Sequence, residues 1–446
     1  MSAVPVFPDD RISSEEAPEA PPLPERLADT GLTPDFIRDL ILKVLYVQGS
    51  QTGQELARFM RLPFTLLDDQ LLILQHRRFL EVRGTTGPNR ASYIFDVGGE
   101  GRDRAKEALE ASQYVGPAPV TLKHYREWIA IQSIRHARVN RQTLRSGLSH
   151  LVLHEDLFGI LGPAVNSSKS IFLYGHPGNG KTAIAEAVSQ MMGGTLYVPY
   201  AVEVEGQIML VHDPVHHLPA DAVDEPDADG LWVEAQGEYD RRFARVRRPI
   251  VVTGGELTME QLDLRYDVYA KLYQAPFQVK ANGGVLIIDD FGRQRVPPRD
   301  LLNRWIVPLE KRVDFLTLHT GGKFPIPFDC LLIFATNLEP ADLVEEAFLR
   351  RIHYKIPVTD PTRAGYEEIF RRVCEELGVG YDANAVLQVY RDFYQAMNIP
   401  PRASHPRDIM GHICDLAKFL EVSPRLTPEL VDMACRSYFL SKIESH

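Results

Sequence analysis

Four short aliphatic runs mark the middle of the 446-residue chain: Ser170-Ile-Phe-Leu-Tyr174, Pro249-Ile-Val-Val-Thr253, Gly283-Gly-Val-Leu-Ile-Ile288 and Cys330-Leu-Leu-Ile-Phe-Ala335. They are apolar without polar alternation, the pattern of strands covered on both faces of a parallel sheet. After Asp360-Pro361 the periodicity changes. Amphipathic runs around Ile369 to Leu377, Val386 to Phe393, Ile409 to Leu420 and Leu430 to Leu440 predict an all-helical tail over 361–446. The fold class expected is α/β, a three-layer αβα core over 166–360 with a helical C-terminal unit.

The first third of the chain has its own pattern. Leu40, Ile41, Val44 and Leu45 follow helical spacing, Thr52 to Arg61 reads as a second helix, and Leu66 to Phe79 as a third. Leu80-Glu-Val-Arg83, a Gly/Pro turn from Gly84 to Pro88 and Ser92-Tyr-Ile-Phe95 then predict a two-stranded wing. Residues 31–112 are thus expected to form a separate small domain resembling a winged helix. Residues 1–30, with seven acidic residues, two basic ones and six prolines, read as a disordered tail. Over 113–165 a stiff hinge at Gly116-Pro-Ala-Pro119 leads into a helical connector that breaks near Asn140.

Chemistry concentrates where the aliphatic runs end. Gly175-His176-Pro177-Gly178-Asn179-Gly180-Lys181-Thr182 follows the first run and opens the helical stretch Ala183 to Met192, so it fits a phosphate-binding loop in sequence and context. Its glycines let backbone N–H groups turn inward, and the following helix presents its positive end to the same anion. Lys181 would reach the β and γ phosphates and Thr182 would ligate Mg²⁺. The third run ends in Asp289-Asp290, a Walker B pattern in which Asp289 holds the metal and Asp290 activates water. The fourth ends in Thr336-Asn337.

With these motifs in this order the chain resembles the AAA+ ATPase superfamily over roughly its C-terminal two thirds. The resemblance implies ATP and Mg²⁺ as ligands, and a role for Asn337 in positioning water. It further implies that Arg351 or its neighbour Arg350 reaches the ATP of an adjacent subunit in a homo-oligomer, a hexameric ring in relatives. His405-Pro406-Arg407-Asp408-Ile409 is similar to the family's lid segment, which makes Arg407 the contact from lid to nucleotide. A guanidinium suits both tasks because it stays charged and binds phosphate oxygens as a fork. The simpler reading of Arg350 and Arg351 is a solvated pair at a helix end. Val313 to Ile326, folding back at Thr320-Gly321-Gly322-Lys323, reads as a hairpin like that of the MoxR-like and magnesium-chelatase ATPases, or as an ornament on a sheet edge. One departure stands out. The family's second acid is Glu, and Asp290 is a methylene shorter, so turnover is expected to be slow unless the backbone compensates.

Composition refines the picture without naming a substrate. The net charge of −11 resides largely in 1–30 and in an acidic insertion, about 212–240, with nine acidic residues and no Lys or Arg. Arg241, Arg242, Arg245, Arg247 and Arg248 follow it, either as a basic strand or hairpin that touches nucleic acid or an acidic partner or, the favoured reading, as local counter-charges to the insertion. His212, Asp213, His216 and His217 read as loop residues rather than metal ligands. Residues 31–112 hold eleven basic and eleven acidic residues, with Asp68 and Asp69 early in the third helix and Arg77, Arg78, Arg83 and Arg90 nearby. Carboxylates there repel phosphates, so docking of an unidentified protein target is favoured over DNA binding, with a DNA-associated ATP-dependent regulator as the alternative. No apolar run is long enough to span a bilayer, and Met1 to Thr30 lacks a leader pattern, so a cytoplasmic protein is expected. Cys330, Cys374, Cys414 and Cys435 form no C-x-x-C pair and read as reduced core thiols.

Overall fold

Helix starts in the first domain are set by side-chain caps. In the computed structural model, which describes residues 20–220, 239–339 and 350–439, α1 (Pro34–Gln48) begins where the Thr33 hydroxyl accepts from the Phe36 N–H and proline takes the first helical position. After β1 (Gln51–Thr52), α2 (Gly53–Met60) opens on a Thr52/Glu55 capping box, and α3 (Phe64–His76) follows. The strands β2 (Leu80–Thr85) and β3 (Tyr93–Val97) pair antiparallel, and β1 adds to the far side of β3, a third strand that the expected wing lacked. Helix α4 (Gly99–Ala111) closes the unit against α1.

This unit is not separate. Its core of Ile37, Leu40, Ile41, Val44, Leu56, Leu71 and Phe95 continues into Ala201, Ile208 and Leu272, which belong to a second layer of sheet. The expected hinge at Gly116-Pro-Ala-Pro119 is part of this joint: the Ala118 N–H donates to Met60 O (2.8 Å), and Pro119 O accepts from Arg242. Residues 20–30, expected to be disordered, are pinned as well. Asp240 N donates to Pro21 O, and the Arg242 guanidinium reaches Thr30 O (3.2 Å). Residues 1–19 lie outside the described residues.

The connector supplies β4 (Val120–Thr121), α5 (Leu122–Ile131), α6 (Arg141–Gly147) and α7 (Glu155–Asn166). Asn140 caps α6 by accepting from Thr143 N (2.8 Å), at the expected break. Next come the aliphatic strand β5 (Ile171–Tyr174), α8 (Lys181–Met191), and the strands β6 (Thr195–Pro199), β7 (Ala201–Val204), β8 (Gln207–Leu210), β9 (Phe243–Arg247), β10 (Ile250–Thr253), β11 (Arg265–Asp267) and β12 (Leu272–Gln274). The remaining core elements are α9 (Phe277–Lys280), β13 (Val285–Ile288), α10 (Pro298–Arg304), α11 (Ile306–Lys311), β14 (Val313–Thr317), β15 (Lys323–Pro327), β16 (Leu331–Thr336) and β17 (Tyr354–Pro357).

Two five-stranded sheets result. The first, in the order β10-β13-β16-β5-β17, is parallel throughout. Its strands alternate between two cores. Ile171, Leu173, Val285, Ile287, Leu331 and Ile333 face α7 and α8, whereas Phe172, Leu286, Ile288, Leu332 and Phe334 face Leu301, Leu302 and Trp305. This is a three-layer α/β P-loop core. The second sheet is mixed, in the order β11-β12-β8-β7-β4, and gathers strands from the connector and from the insertion between α8 and β13. Strands β6 and β9 pair separately. The ends of the acidic insertion are built into the fold: His217 is buried and Pro219 bridges to Val246. Residues 221–238 lie outside the described residues.

Strands β14 and β15 form the expected hairpin. Leu316, Leu318, Phe324 and Ile326 are buried against the second sheet and α5, and the Tyr266 ring stacks on His319 near the hairpin tip. The C-terminal helical unit, the segment expected to be a lid, comprises α12 (Arg363–Glu376), α13 (Ala383–Val389), a π-helical turn at Tyr390–Gln395, α14 (His405–Phe419) and α15 (Pro428–Phe439) around one core. Cys330, Cys374 and Cys435 are buried, Cys414 half-buried, and all four are free thiols. Among the described residues no helix is long and apolar enough to cross a membrane.

Candidate functional site

The site lies where β5, β13 and β16 end side by side. Chain leaving β5 turns through Gly175 (φ 137°), Gly178 (φ 81°) and Gly180 (φ 82°), conformations that side-chain-bearing residues seldom adopt. At Gly175 space forbids more as well, since a Cβ would lie 2.3 Å from Val358 O. Gly180 caps α8, whose first turn carries Lys181, Thr182 and Ala183.

Lys181 is 7% exposed. Its ammonium donates to Gly175 O (3.0 Å), His176 O (2.8 Å) and Asn337 Oδ1 (2.7 Å). Burial lowers its pKa, while Asp289 and Asp290 oppose the shift. The Thr182 hydroxyl donates to Asp289 Oδ2 (2.9 Å). Asn337 bridges the arrangement, for its Nδ2 donates to Asp290 Oδ1 (3.1 Å). Lysine, hydroxyl, two carboxylates and amide thus meet through three neighbouring strand ends.

Asp290 has φ 47°, a left-handed conformation that aspartate tolerates better than most residues. A tight turn holds it: Asp290 N donates to Asp289 Oδ1 (2.9 Å), and Phe291 N to Ala335 O (2.8 Å). Gln294 completes the turn, donating from Nε2 to Asp289 O (2.8 Å) and accepting from Gly292 N (2.7 Å). Sequence reading missed Gln294, because a glutamine five residues past a carboxylate follows no motif. Asp290 thus combines left-handed backbone with a carboxylate held by Asn337.

The residues fit a nucleoside triphosphate with its cation. A loop of left-handed glycines, a helix N-terminus and a buried lysine make an anion cradle. Mg²⁺ takes oxygen donors and keeps several waters, so Thr182 and Asp289 suffice as protein ligands. Among the described residues no group of three or more His, Cys, Asp and Glu is placed to hold a metal. In particular, His217 is committed to Asp213 N and Lys280 O (2.8 and 2.9 Å), and its ring stacks on His212.

The arginines are distributed differently. Arg351 donates to Glu310 Oε1 on α11 (2.6 Å), and its carbonyl accepts from the Ser170 hydroxyl, at the opposite end of β5 from the loop. Arg350 is exposed beside it. Arg407 lies on α14 and forms a fork with Glu376 of α12 (2.6 and 3.1 Å). Against the loop sits a different residue, Arg402, whose Nη1 donates to Asp360 Oδ1 (2.7 Å). Asp360 also accepts from Asn179 Nδ2 (2.7 Å) and contacts His176 Nδ1 (3.2 Å), so these two loop side chains face the lid base. Pro177 occupies the turn between them. Neither Arg402 nor Asp360 belongs to a pattern readable in the sequence.

Similarity to known proteins is confined to part of the chain or is remote. A family model described as a domain of unknown function (DUF8689) matches residues 362–437, the lid. No curated protein matches. The Thermotoga maritima RuvB Holliday junction branch migration motor aligns over 68% of this chain and 72% of its own, with 14% identity and TM-score 0.35. NtrX from Brucella abortus in complex with ADP aligns over 64% of this chain and 56% of its own, with 16% identity and TM-score 0.38. A structure of the complex between subunits BchI and BchD of magnesium chelatase aligns over 66% and 94%, with 16% identity and TM-score 0.35. At these values the functional reading rests on the geometry of the loop and strand ends.

Proposed function

We propose that the chain is an ATPase of the AAA+ type that binds Mg²⁺-ATP and couples its hydrolysis to remodelling a protein partner. One observation carries the reading: Lys181, Thr182, Asp289, Asp290 and Asn337 converge at the C-terminal ends of adjacent parallel strands, where such sheets bind ligands. On binding, Lys181 exchanges its two loop carbonyls for phosphate oxygens. Thr182 and Asp289 would hold Mg²⁺, which neutralises charge on the β and γ phosphates. Asn337 orients the attacking water, and Asp290 accepts its proton. With Asp290 a methylene shorter than the family's Glu, this hydrolysis is slow.

Arg351 cannot serve this site from its own chain, because it lies at the other end of β5. We propose that the chain assembles as a ring, in which Arg351 acts on the nucleotide of the next subunit after leaving Glu310, and Arg407 closes from the lid after leaving Glu376. The N-terminal unit is read as a winged helix that docks protein. Its basic residues are partly neutralised, Arg83 by Asp96 (2.8 Å) and Arg90 by Asp68 (2.7 Å), which weakens any attraction to DNA phosphates.

ATP turnover across protein concentration tests the proposal, with Lys181→Ala and Arg351→Ala beside the parent. The expected result is Mg²⁺-dependent specific turnover that rises with concentration and falls at least a hundredfold in both variants. Turnover that persists in Lys181→Ala would sink the site assignment; turnover independent of concentration and of Arg351 would sink the ring.

A further inference from the structure

The lid rests directly on the phosphate loop through polar contacts that phosphate binding itself does not use. Ser404 N donates to Gly178 O (2.8 Å), and a Cβ on Gly178 would lie 2.5 Å from the Ser404 hydroxyl. Asn179, 4% exposed, turns its side chain away from the anion cradle. Its Oδ1 accepts from Ala403 N (3.3 Å) and its Nδ2 donates to Asp360. Asp360 follows β17 and leads into the lid, so it stands at the joint between core and lid. Its carboxylate takes the Arg402 guanidinium on the lid side and Asn179 on the loop side, both at 2.7 Å.

Residues 402–404 are anchored to the lid interior. Arg402 N donates to His405 Nδ1 (3.3 Å), His405 Nδ1 meets Tyr394 Oη (2.9 Å), and Tyr394 Oη meets Tyr366 Oη (3.0 Å). The His405 ring is stacked within 6° on Tyr394, in the π-helical turn. Motion of the loop at residues 178–179 is therefore passed to packed lid side chains, and lifting the lid must break the Asp360 contacts.

We propose that Asp360 and Arg402 are positioning residues that clasp the lid to the phosphate loop through Asn179, and that this clasp sets how long a bound nucleotide is retained. The inference rests on the nucleotide-site reading above. Neither residue need touch the ligand; Asp360 acts through Asn179 and Arg402. A charge-assisted hydrogen bond in a half-buried site is strong enough to govern release, and a partner left alone there is costly.

The test is the dissociation rate of a fluorescent ADP analogue from the full chain, chased with excess ADP in a stopped-flow instrument. Asp360→Asn and Arg402→Gln should each speed release about tenfold. Because the two act as one unit, the double variant should release no faster than the singles. Arg402→Lys keeps the charge and should stay within about threefold of the parent, so it reports even where a more drastic change impairs folding. Release at the parent rate in both single variants overturns the clasp, as does a double variant whose effect is the product of the singles. If the parent fails to retain the analogue, or Lys181→Ala retains it equally, the nucleotide site itself is wrong and the clasp falls with it. Retention by the parent alone, with clasp variants indistinguishable from it, removes only the clasp.

Discussion

The two five-stranded sheets solve different problems. The parallel sheet keeps the strands β5, β13 and β16 apolar and gathers Asp289, Asn337 and Lys181 beyond their C-terminal ends. The mixed sheet and its surroundings bury charge instead. Arg242, 2% exposed, pairs with Asp240 (2.7 Å) and donates to Thr30 O and Pro119 O, tying the N-terminal unit, the connector and the insertion together. One sheet is a platform whose polar groups remain available to a ligand. The other is a joint whose polar groups are used up in holding three segments.

Substitution should separate the two. Asp290→Asn keeps a residue that tolerates left-handed backbone, so the melting temperature should stay at the parent value while hydrolysis falls by about 10²–10⁴-fold. Arg242→Ala should do the reverse. It strands the Asp240 carboxylate and two carbonyls in a buried place, at a cost of about 3–5 kcal/mol by urea denaturation, with ATP affinity of the folded fraction unchanged. A large loss of ATP affinity in folded Arg242→Ala would show that the joint is not mechanically separate from the platform.

The contrast also explains what was readable. Four of the five platform strands are short apolar runs that local pattern alone reports, whereas β17, Tyr354-Lys-Ile-Pro357, carries no such run. Joint strands are short, and the pairings that assemble their hairpins into one sheet join distant segments: Val120 with Val202, Tyr273 with Met209. No local window contains both partners. Residues 20–30 look disordered by composition because their order comes from Arg242 and Asp240, more than two hundred positions away. Asp360 and Arg402 were missed for the same reason. Lys181 and Thr182 were readable because a phosphate loop imposes one spacing on any chain that builds it, and Asp289 because it ends an aliphatic run, whereas a clasp between lid and loop has no required spacing.

A smaller effect probes the joint by pH. Burial pulls the His217 imidazole from 6.5 down to about 4, against a modest opposing contribution from Lys280 O. The unfolded chain takes up this proton below about pH 6.5, whereas the folded chain resists until about pH 4. Stability is therefore present above the unfolded pKa and declines as pH falls through that window, by about 2 kcal/mol between pH 7 and pH 5. Urea denaturation at both values checks it, and His217→Gln should flatten the slope by that amount. An unchanged slope would mean that His217 is not buried as a neutral donor and acceptor.

The smallest structural effect, and the sharpest for the platform, is expected at Arg407. Its fork with Glu376 joins two lid helices on an exposed surface, where ion pairs contribute little, so Arg407→Ala should leave the melting temperature unaltered. Any change in function must then come from a contact made after the arginine leaves Glu376. If Arg407 reaches the nucleotide, Arg407→Ala raises KM for ATP severalfold, and Glu376→Gln, which removes the competing carboxylate, lowers it. The opposite signs matter, because loss of a purely structural pair would move both variants the same way. If KM stays at the parent value in both, Arg407 is a surface residue, and Arg402, already seated over the loop through Asp360, is the guanidinium by which the lid responds to nucleotide.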